Sequence, residues 1–254
     1  MSGKLNSPVV LVTGGACRIG AAIVRCFAQH GWRVVIHCRN SCLAAETLLA
    51  GIGGEAAGHR ILPLDLLTGN LQENLLSAIL HDYGRLDCLI NNASVYQRDR
   101  MADLSPEILE KGYEINFCVP FQLMRAFRTM FGKGNIINLL DQRVTSVDPS
   151  SGAYGLAKKS LRDVTEACAL EWAPQIRVNA VAPGIVLPPP ELKPETSMKR
   201  ILQYVPMQER SSEEEVAEAC YFLSNAKTIT GQILYVDGGL HLQNSNLGEK
   251  PRTL

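Results

Sequence analysis

Val9-Val10-Leu11-Val12-Thr13-Gly14-Gly15-Ala16-Cys17-Arg18-Ile19-Gly20 decides how this chain is read. Its first four residues form an apolar run of the kind that makes a strand buried on both faces. Glycines follow at 14, 15 and 20, and beyond them Ile19, Ile23 and Phe27 recur at the spacing of one helical face. Strand, glycine turn and helix are the context that holds a dinucleotide. Glycine lets the backbone turn and approach a pyrophosphate closely, and the helix start offers free N–H groups and a positive dipole end. The spacing differs from the common G-x-G-x-x-G, so an ordinary strand-to-helix turn is the competing reading.

The next strand selects the nucleotide. Arg33-Val34-Val35-Ile36-His37 reads as a strand, with Cys38-Arg39-Asn40-Ser41 at its end. A site for NAD usually carries Asp or Glu here for the ribose 2′-hydroxyl. No acid occurs between Arg18 and Glu46; His37, Arg39, Asn40 and Ser41 stand in its place. Arg39 can hold a 2′-phosphate through two parallel charged hydrogen bonds, and Arg18 adds a second positive charge. The expected cofactor is therefore NADPH rather than NADH. The alternatives are that Arg39 is a solvated loop charge and that His37 packs at the strand end.

Working outward, strand-like runs lie near 8–13, 33–38, 60–64, 86–90, 134–140, 176–181 and 232–236. Helical patterns lie between them at 19–30, 41–51, 70–83, 105–130, 153–172 and 213–224. This alternation predicts an α/β fold: a single doubly wound, Rossmann-type domain over 1–254, with a central parallel sheet and helices on both faces. Ligands of such sheets bind beyond the carboxyl ends of the strands, where Gly14, Arg39, Asp65, Asn91, Asp141 and Pro183 fall. Pro188-Pro189-Pro190 and Pro194 break the pattern, and prolines so close together continue neither strand nor helix. The stretch of about 185–205 is read as a substrate loop, with a plain surface connection as the alternative.

Bulk properties narrow the partners. The 254 residues are 46% hydrophobic, enough for one substantial core, and carry 25 basic against 25 acidic residues. With no long basic run, neither nucleic acid nor an anionic membrane is an expected partner. No apolar stretch approaches the ~18 residues that span a bilayer, and the polar first residues lack a secretory core, so a cytoplasmic location is expected. Eight scattered cysteines contain no C-x-x-C pair, and the five histidines form no ligand cluster with them. Reduced thiols and no metal are the expectation.

Tyr154 and Lys158 stand four apart in a helical pattern, so they share a face. An ammonium near a phenol favours phenolate, which lowers the tyrosine pKa toward working pH. Asp141 lies thirteen residues upstream. It either joins this chemistry or caps a following turn.

Together these strings resemble the short-chain dehydrogenase/reductase family from Val9 to Leu242. TGGACRIG, with Thr13, Gly14, Arg18, Ile19 and Gly20, resembles its cofactor loop, and Asp65-Leu66 its adenine contact. Asn91-Asn92-Ala93 resembles its NNAG segment, with Ser94 in place of glycine. Asn116, Tyr154 and Lys158 match its catalytic positions, and Arg177–Gly184 with Val236–Gly239 its late motifs. The resemblance implies that Asn91, Ala93, Lys158, Pro183 and Gly184 contact the cofactor. It also implies a water positioned by Asn116, and a homotetramer formed through the helices at 105–130 and 153–172.

One departure stands out: Asp141 replaces the usual catalytic serine. With Arg18, Ser94, Tyr96 and Val205–Arg210, it resembles the pteridine reductase branch. That implies reduction of a pterin or folate, with Arg18, Ser94, Tyr96, Asp141 and Tyr154 on the substrate. A pterin is flat and stacks on an aromatic face. A carboxylate opposes a developing alkoxide but suits a ring nitrogen that must gain a proton. Tyr96 as a surface aromatic and Asn116 as a buried structural amide remain open. So do two other functions: reduction of a carbonyl substrate such as a 3-oxoacyl thioester, and a non-catalytic NADPH-binding regulator.

Overall fold

The computed structural model describes residues 7–68, 70–146, 148–187 and 202–245. Its strands are β1 (Val9–Val12), β2 (Arg33–Cys38), β3 (Arg60–Pro63), β4 (Cys88–Asn91), β5 (Gly134–Leu139), β6 (Ile176–Pro183) and β7 (Ile233–Val236). Between them run α1 (Arg18–Gln29), α2 (Cys42–Gly51), α3 (Ser77–Tyr83), α4 (Pro106–Tyr113), α5 (Val119–Phe131), α6 (Gly152–Trp172) and α7 (Glu213–Asn225). The strands form one parallel sheet in the order β3-β2-β1-β4-β5-β6-β7. This is the doubly wound, Rossmann-like architecture expected from the sequence.

Period-two alternation distributes the strands' side chains over two cores. Val10, Val12, Val34, Ile36, Cys88 and Ile90 pack with α1 and α7 on one face. Val9, Leu11, Val35 and Leu89 pack with α3, α5 and α6 on the other. The central strands β1 and β4 are therefore buried along their whole length, as a sheet covered on both faces requires, whereas the edge strand β3 is exposed at Arg60 and Pro63. The strand order reverses between β1 and β4, which opens a crevice at their carboxyl ends. The glycine loop leaves β1 there and Asn92-Ala93-Ser94 leaves β4.

The helix expected over 105–130 is interrupted. Between α4 and α5, residues Glu114–Cys118 form a wider π turn. The cause lies in Pro120. Inside an α-helix a proline lacks the N–H and its ring collides with the carbonyl four residues back, here Asn116. The wider turn accommodates the ring at that point, and it carries the buried Asn116 side chain.

Ser105 starts α4 by accepting from Ile108 N, and Ser212 with Glu215 forms a reciprocal capping box on α7. Most of the proline-bearing loop, and the start of the weak helical pattern at 196–204, fall on 188–201, outside the described residues. The same holds for the tail from 246 onward. Among the described residues no helix is long and apolar enough to cross a membrane, and no cluster of three His, Cys, Asp or Glu is suited to a metal ion.

Candidate active site

α6 begins beside the end of β5, which brings Tyr154 and Lys158 against Asp141. The Tyr154 hydroxyl donates to Asp141 Oδ2 at 3.0 Å. Asp141 Oδ1 accepts from the backbone N–H of Arg143 at 2.9 Å, capping the short 3-10 turn Gln142–Thr145. Asp141 therefore caps a turn, one of the two readings, and also touches the tyrosine.

Arg143 was not singled out from the sequence. Its guanidinium donates to Asp141 Oδ2 at 2.9 Å and to Asp148 at 3.0 Å, and lies 5.5 Å from the centre of the Tyr96 ring. Tyr96 meets the Tyr154 ring edge-on at 4.9 Å and is 47% exposed. Asp141, Arg143, Tyr96 and Tyr154 thus form one connected group. An arginine two residues past a turn-capping aspartate is ordinary in sequence, and only the fold brings it over Tyr96.

The electrostatics differ from expectation. The Tyr154 pKa is raised well above the ordinary phenol value, first by burial and then by the charge and hydrogen bond of Asp141. The expected lowering by Lys158 is absent because the ammonium points elsewhere: Nζ donates to the Leu139 carbonyl at 2.6 Å and sits 5.8 Å from the phenol ring centre. Burial lowers the Lys158 pKa to about 8, against the opposing pull of Asp141.

That shift has a testable sign. Below pH 8 the lysine is charged in both folded and unfolded chains, and the fold carries the cost of burying the charge. Between about 8 and the unfolded value near 10.5, only the unfolded chain holds the proton, so stability rises with pH. Lys158→Met is expected to exceed wild type in unfolding free energy at pH 7. The gap should shrink by a few kcal/mol, roughly, by pH 10. Urea unfolding of both proteins at each pH measures it, and a gap that does not change with pH contradicts the shift.

Asn116 is fully buried, and its amide is wholly occupied by protein. Oδ1 accepts from Ser94 Oγ at 2.7 Å and Val95 N at 3.2 Å; Nδ2 donates to Val95 O at 3.0 Å and Gly112 O at 2.9 Å. Its side chain therefore fixes the Ser94 hydroxyl and the Val95 backbone beside Tyr96. The water role implied by the resemblance does not fall to this side chain, which has no hydrogen-bonding capacity left.

On the nucleotide side, the glycine loop is bound to the end of β4. Thr13 Oγ1 donates to Ile90 O and accepts from Asn92 N and Ala93 N, both at 3.0 Å. Asn92 Nδ2 donates to the carbonyls of Thr13 and Gly14 at 2.9 and 3.0 Å. Asn92 was quoted only as part of a motif, and it proves to be the loop's clamp. Gly14 takes φ +61°, and a Cβ there would stand 3.0 Å from Ala93 Cα.

Four residues expected at the cofactor have side chains engaged within the fold. Thr13 has its hydroxyl engaged in the clamp. His37 accepts from Gly14 N at 3.1 Å through Nδ1 and bonds Leu64 O at 3.0 Å through Nε2, so it braces the loop. Burial lowers its pKa, which favours the neutral ring those bonds require. The Asn91 amide is buried and donates to Asn138 at 2.9 Å, and the Leu66 side chain packs in the core. Short polar residues in a motif read alike whether they face a ligand or brace a loop, and sequence pattern does not separate the two.

The remaining positions lie at the strand ends, as expected. Arg18 (φ +53°), Arg39, Asn40 and Ser41 are exposed and Ile19 is partly so. Arg39 stands 3.8 Å from Asp65, both partly exposed, so this pair holds Arg39 weakly. Gly184 N bonds Val236 O at 2.9 Å, closing β6 and buried Pro183 against β7. The start of α1 carries no acidic residue in its first turn and no side-chain cap. Its N–H groups and glycine cradle suit a pyrophosphate.

A family model described as enoyl-(acyl carrier protein) reductase matches residues 14–241. The chain belongs to the short-chain dehydrogenase/reductase family. Among the relatives of this family member, a 3-oxoacyl-[acyl-carrier-protein] reductase of Synechocystis sp. is 30% identical over 246 residues, covering 93% of this chain and 98% of that one. The solved structure of FolM alternative dihydrofolate reductase 1 from Brucella canis, complexed with NADP, is 33% identical with a TM-score of 0.84. It covers 94% of this chain and 95% of that one. An actinorhodin polyketide ketoreductase variant with NADPH is 28% identical with a TM-score of 0.85, covering 93% and 98%.

Proposed function

We propose that this short-chain reductase uses NADPH to reduce a pterin, taking a dihydropterin to its tetrahydro form, with oxidised pterin and dihydrofolate as further substrates. The observation that carries this reading is the 3.0 Å hydrogen bond from Tyr154 to Asp141. A carboxylate stands where a ketone reductase of the family resemblance has a serine. It repels an alkoxide but accepts hydrogen bonds from the N–H groups of a heterocycle. The FolM structure, named a dihydrofolate reductase and complexed with NADP, supports the same reading.

NADPH, when bound, supplies the hydride. Gly14, Arg18, Ile19 and Gly20 would hold its pyrophosphate; Arg39, Asn40 and Ser41 its 2′-phosphate; Asp65 and Leu66 its adenine, the latter by backbone. Asn91, Ala93, Pro183 and Gly184 would line the nicotinamide side by backbone, and Lys158 would reach its ribose. Tyr154, kept protonated by burial and by Asp141, holds the proton at Oη for delivery to a ring nitrogen. Arg143 keeps the Asp141 carboxylate aimed, and its guanidinium covers one face of Tyr96. The other face, with Ser94 and Arg18, receives the flat substrate. A homotetramer in the cytoplasm belongs to the same reading; Leu170, 86% exposed on α6, is consistent with a helix face made for a partner copy.

The relatives named as 3-oxoacyl and polyketide ketoreductases favour a second reading, a carbonyl reductase in which Tyr154 protonates an oxygen. NADPH oxidation by the purified protein separates the two. Dihydrobiopterin, dihydromonapterin, dihydrofolate and a β-ketoacyl thioester are run side by side, with Asp141→Ala beside wild type. The pterin reading expects turnover on the first three, falling roughly thirtyfold in the variant with NADPH affinity kept. Thioester turnover without pterin turnover establishes the second reading instead. NADPH binding with no turnover on any substrate returns the protein to a regulator.

A further inference from the structure

Cys38 and Cys42 bracket the segment assigned above to the 2′-phosphate. Cys38 ends β2 and is buried, whereas Cys42 opens α2 and is partly exposed. Their sulfurs stand 4.0 Å apart, and Cys42 Sγ lies 3.8 Å from the Arg39 carbonyl oxygen. Arg39, Asn40 and Ser41, all exposed, form the loop between them. Cys38 is fixed: it pairs with Pro63 in the sheet, and its carbonyl accepts from Leu64 N at 2.9 Å. Cys42 starts a helix whose N-cap, Ser41, makes no side-chain bond. Closing the pair to the ~2 Å of a disulfide therefore moves Cys42 and the loop rather than Cys38.

We propose that Cys38 and Cys42 are a peroxide-sensitive thiol pair whose reversible disulfide re-aims Arg39 and weakens NADPH binding. The chemistry balances with a hydroperoxide as oxidant. The Cys42 thiolate attacks one peroxide oxygen, the O–O bond breaks, and sulfenic acid and hydroxide form. The Cys38 sulfur then attacks the sulfenic sulfur, the S–O bond breaks, and water leaves with the Cys38 proton. Two thiols and one hydrogen peroxide thus become one disulfide and two waters. Burial, followed by the neighbouring Cys42, pushes the Cys38 thiol up to about 11, so the buried sulfur serves as the resolving partner. Among the described residues a loose 3.8 Å contact with Asp65 is what holds Arg39 in place when the loop shifts.

The disulfide stands on its own geometry, and its effect on affinity rests on the NADPH reading. The full-chain protein is treated with hydrogen peroxide, trapped with N-ethylmaleimide, and analysed by intact mass and peptide mapping. NADPH is titrated before treatment, after it, and after dithiothreitol. The expected product is two hydrogens lighter, linked between the peptides of Cys38 and Cys42. Its NADPH dissociation constant should rise about tenfold, the loss of one charge-assisted contact, and recover on reduction. Cys42→Ser should keep its affinity through the treatment. Linkage of another pair, over-oxidation without linkage, or equal loss of affinity in Cys42→Ser overturns the proposal. Should untreated protein bind no NADPH, the cofactor reading fails and the affinity effect with it, while the peptide map still decides the disulfide.

Discussion

Tyr154→Phe is expected to lose about a thousandfold in turnover, within the range for removing a general acid, while binding NADPH within about twofold of wild type. The substitution deletes one oxygen from a ring that remains packed edge-on against Tyr96. Asp141 keeps its two contacts with Arg143, so the carboxylate is not stranded and the turn Gln142–Thr145 keeps its cap. Stability should therefore change by only about 1 kcal/mol. Lys158 holds the Leu139 carbonyl independently of the phenol, so the side of the site proposed for the ribose should be untouched. The measurement is single-turnover NADPH oxidation with a saturating dihydropterin, beside a fluorescence titration of NADPH. Unchanged turnover would remove Tyr154 from the chemistry and leave Asp141 to act alone or through water. Loss of turnover with equal loss of NADPH affinity would mean the hydroxyl organises the site rather than supplying the proton.

The contrast between what the sequence revealed and what it hid runs along one physical line. Burial on both faces of a parallel sheet forces continuous apolar runs, so β2 is recovered at its observed bounds, Arg33–Cys38. Pro120 was visible, yet its effect, a wide turn that swings Asn116 inward, depends on where the helix packs. Asp141, Tyr154 and Lys158 drew attention because the Tyr-x3-Lys spacing follows a nucleotide signature and because the family resemblance places a serine where Asp141 stands. Arg143 and Asn92 were missed because an arginine in a loop and an asparagine beside another are common. Their roles exist only through contacts across the fold, to Asp141 and Tyr96 for one and to Thr13 and Gly14 for the other. His37 inverts the case: its position at a strand end suggests a ligand contact, and the Gly14 amide takes one ring nitrogen while the Leu64 carbonyl beyond β3 takes the other.

Gly20→Ala is expected to reduce NADPH affinity by at least about a hundredfold and to cost roughly 1–3 kcal/mol of stability. The reason is close approach rather than backbone conformation, since Gly20 sits in the first turn of α1 with a helical backbone. An added methyl collides with the Gly14 carbonyl oxygen and stands 2.7 Å from Asn92 Nδ2. Neither neighbour is free to move. The carbonyl belongs to the loop backbone, and the amide donates to both Thr13 O and Gly14 O. The methyl therefore separates α1 from the loop and opens the clamp, moving together the N–H groups and glycines proposed to hold the pyrophosphate. Gly51→Ala is the matched control, because a methyl there meets nothing within 4 Å. It should leave binding unchanged and raise helix stability slightly, by up to about 1 kcal/mol. If Gly20→Ala loses stability but binds NADPH normally, the clamp is a packing device and the pyrophosphate lies elsewhere. If it loses binding and Gly51→Ala does not, the strand–glycine–helix stretch that opens the chain is the nucleotide site.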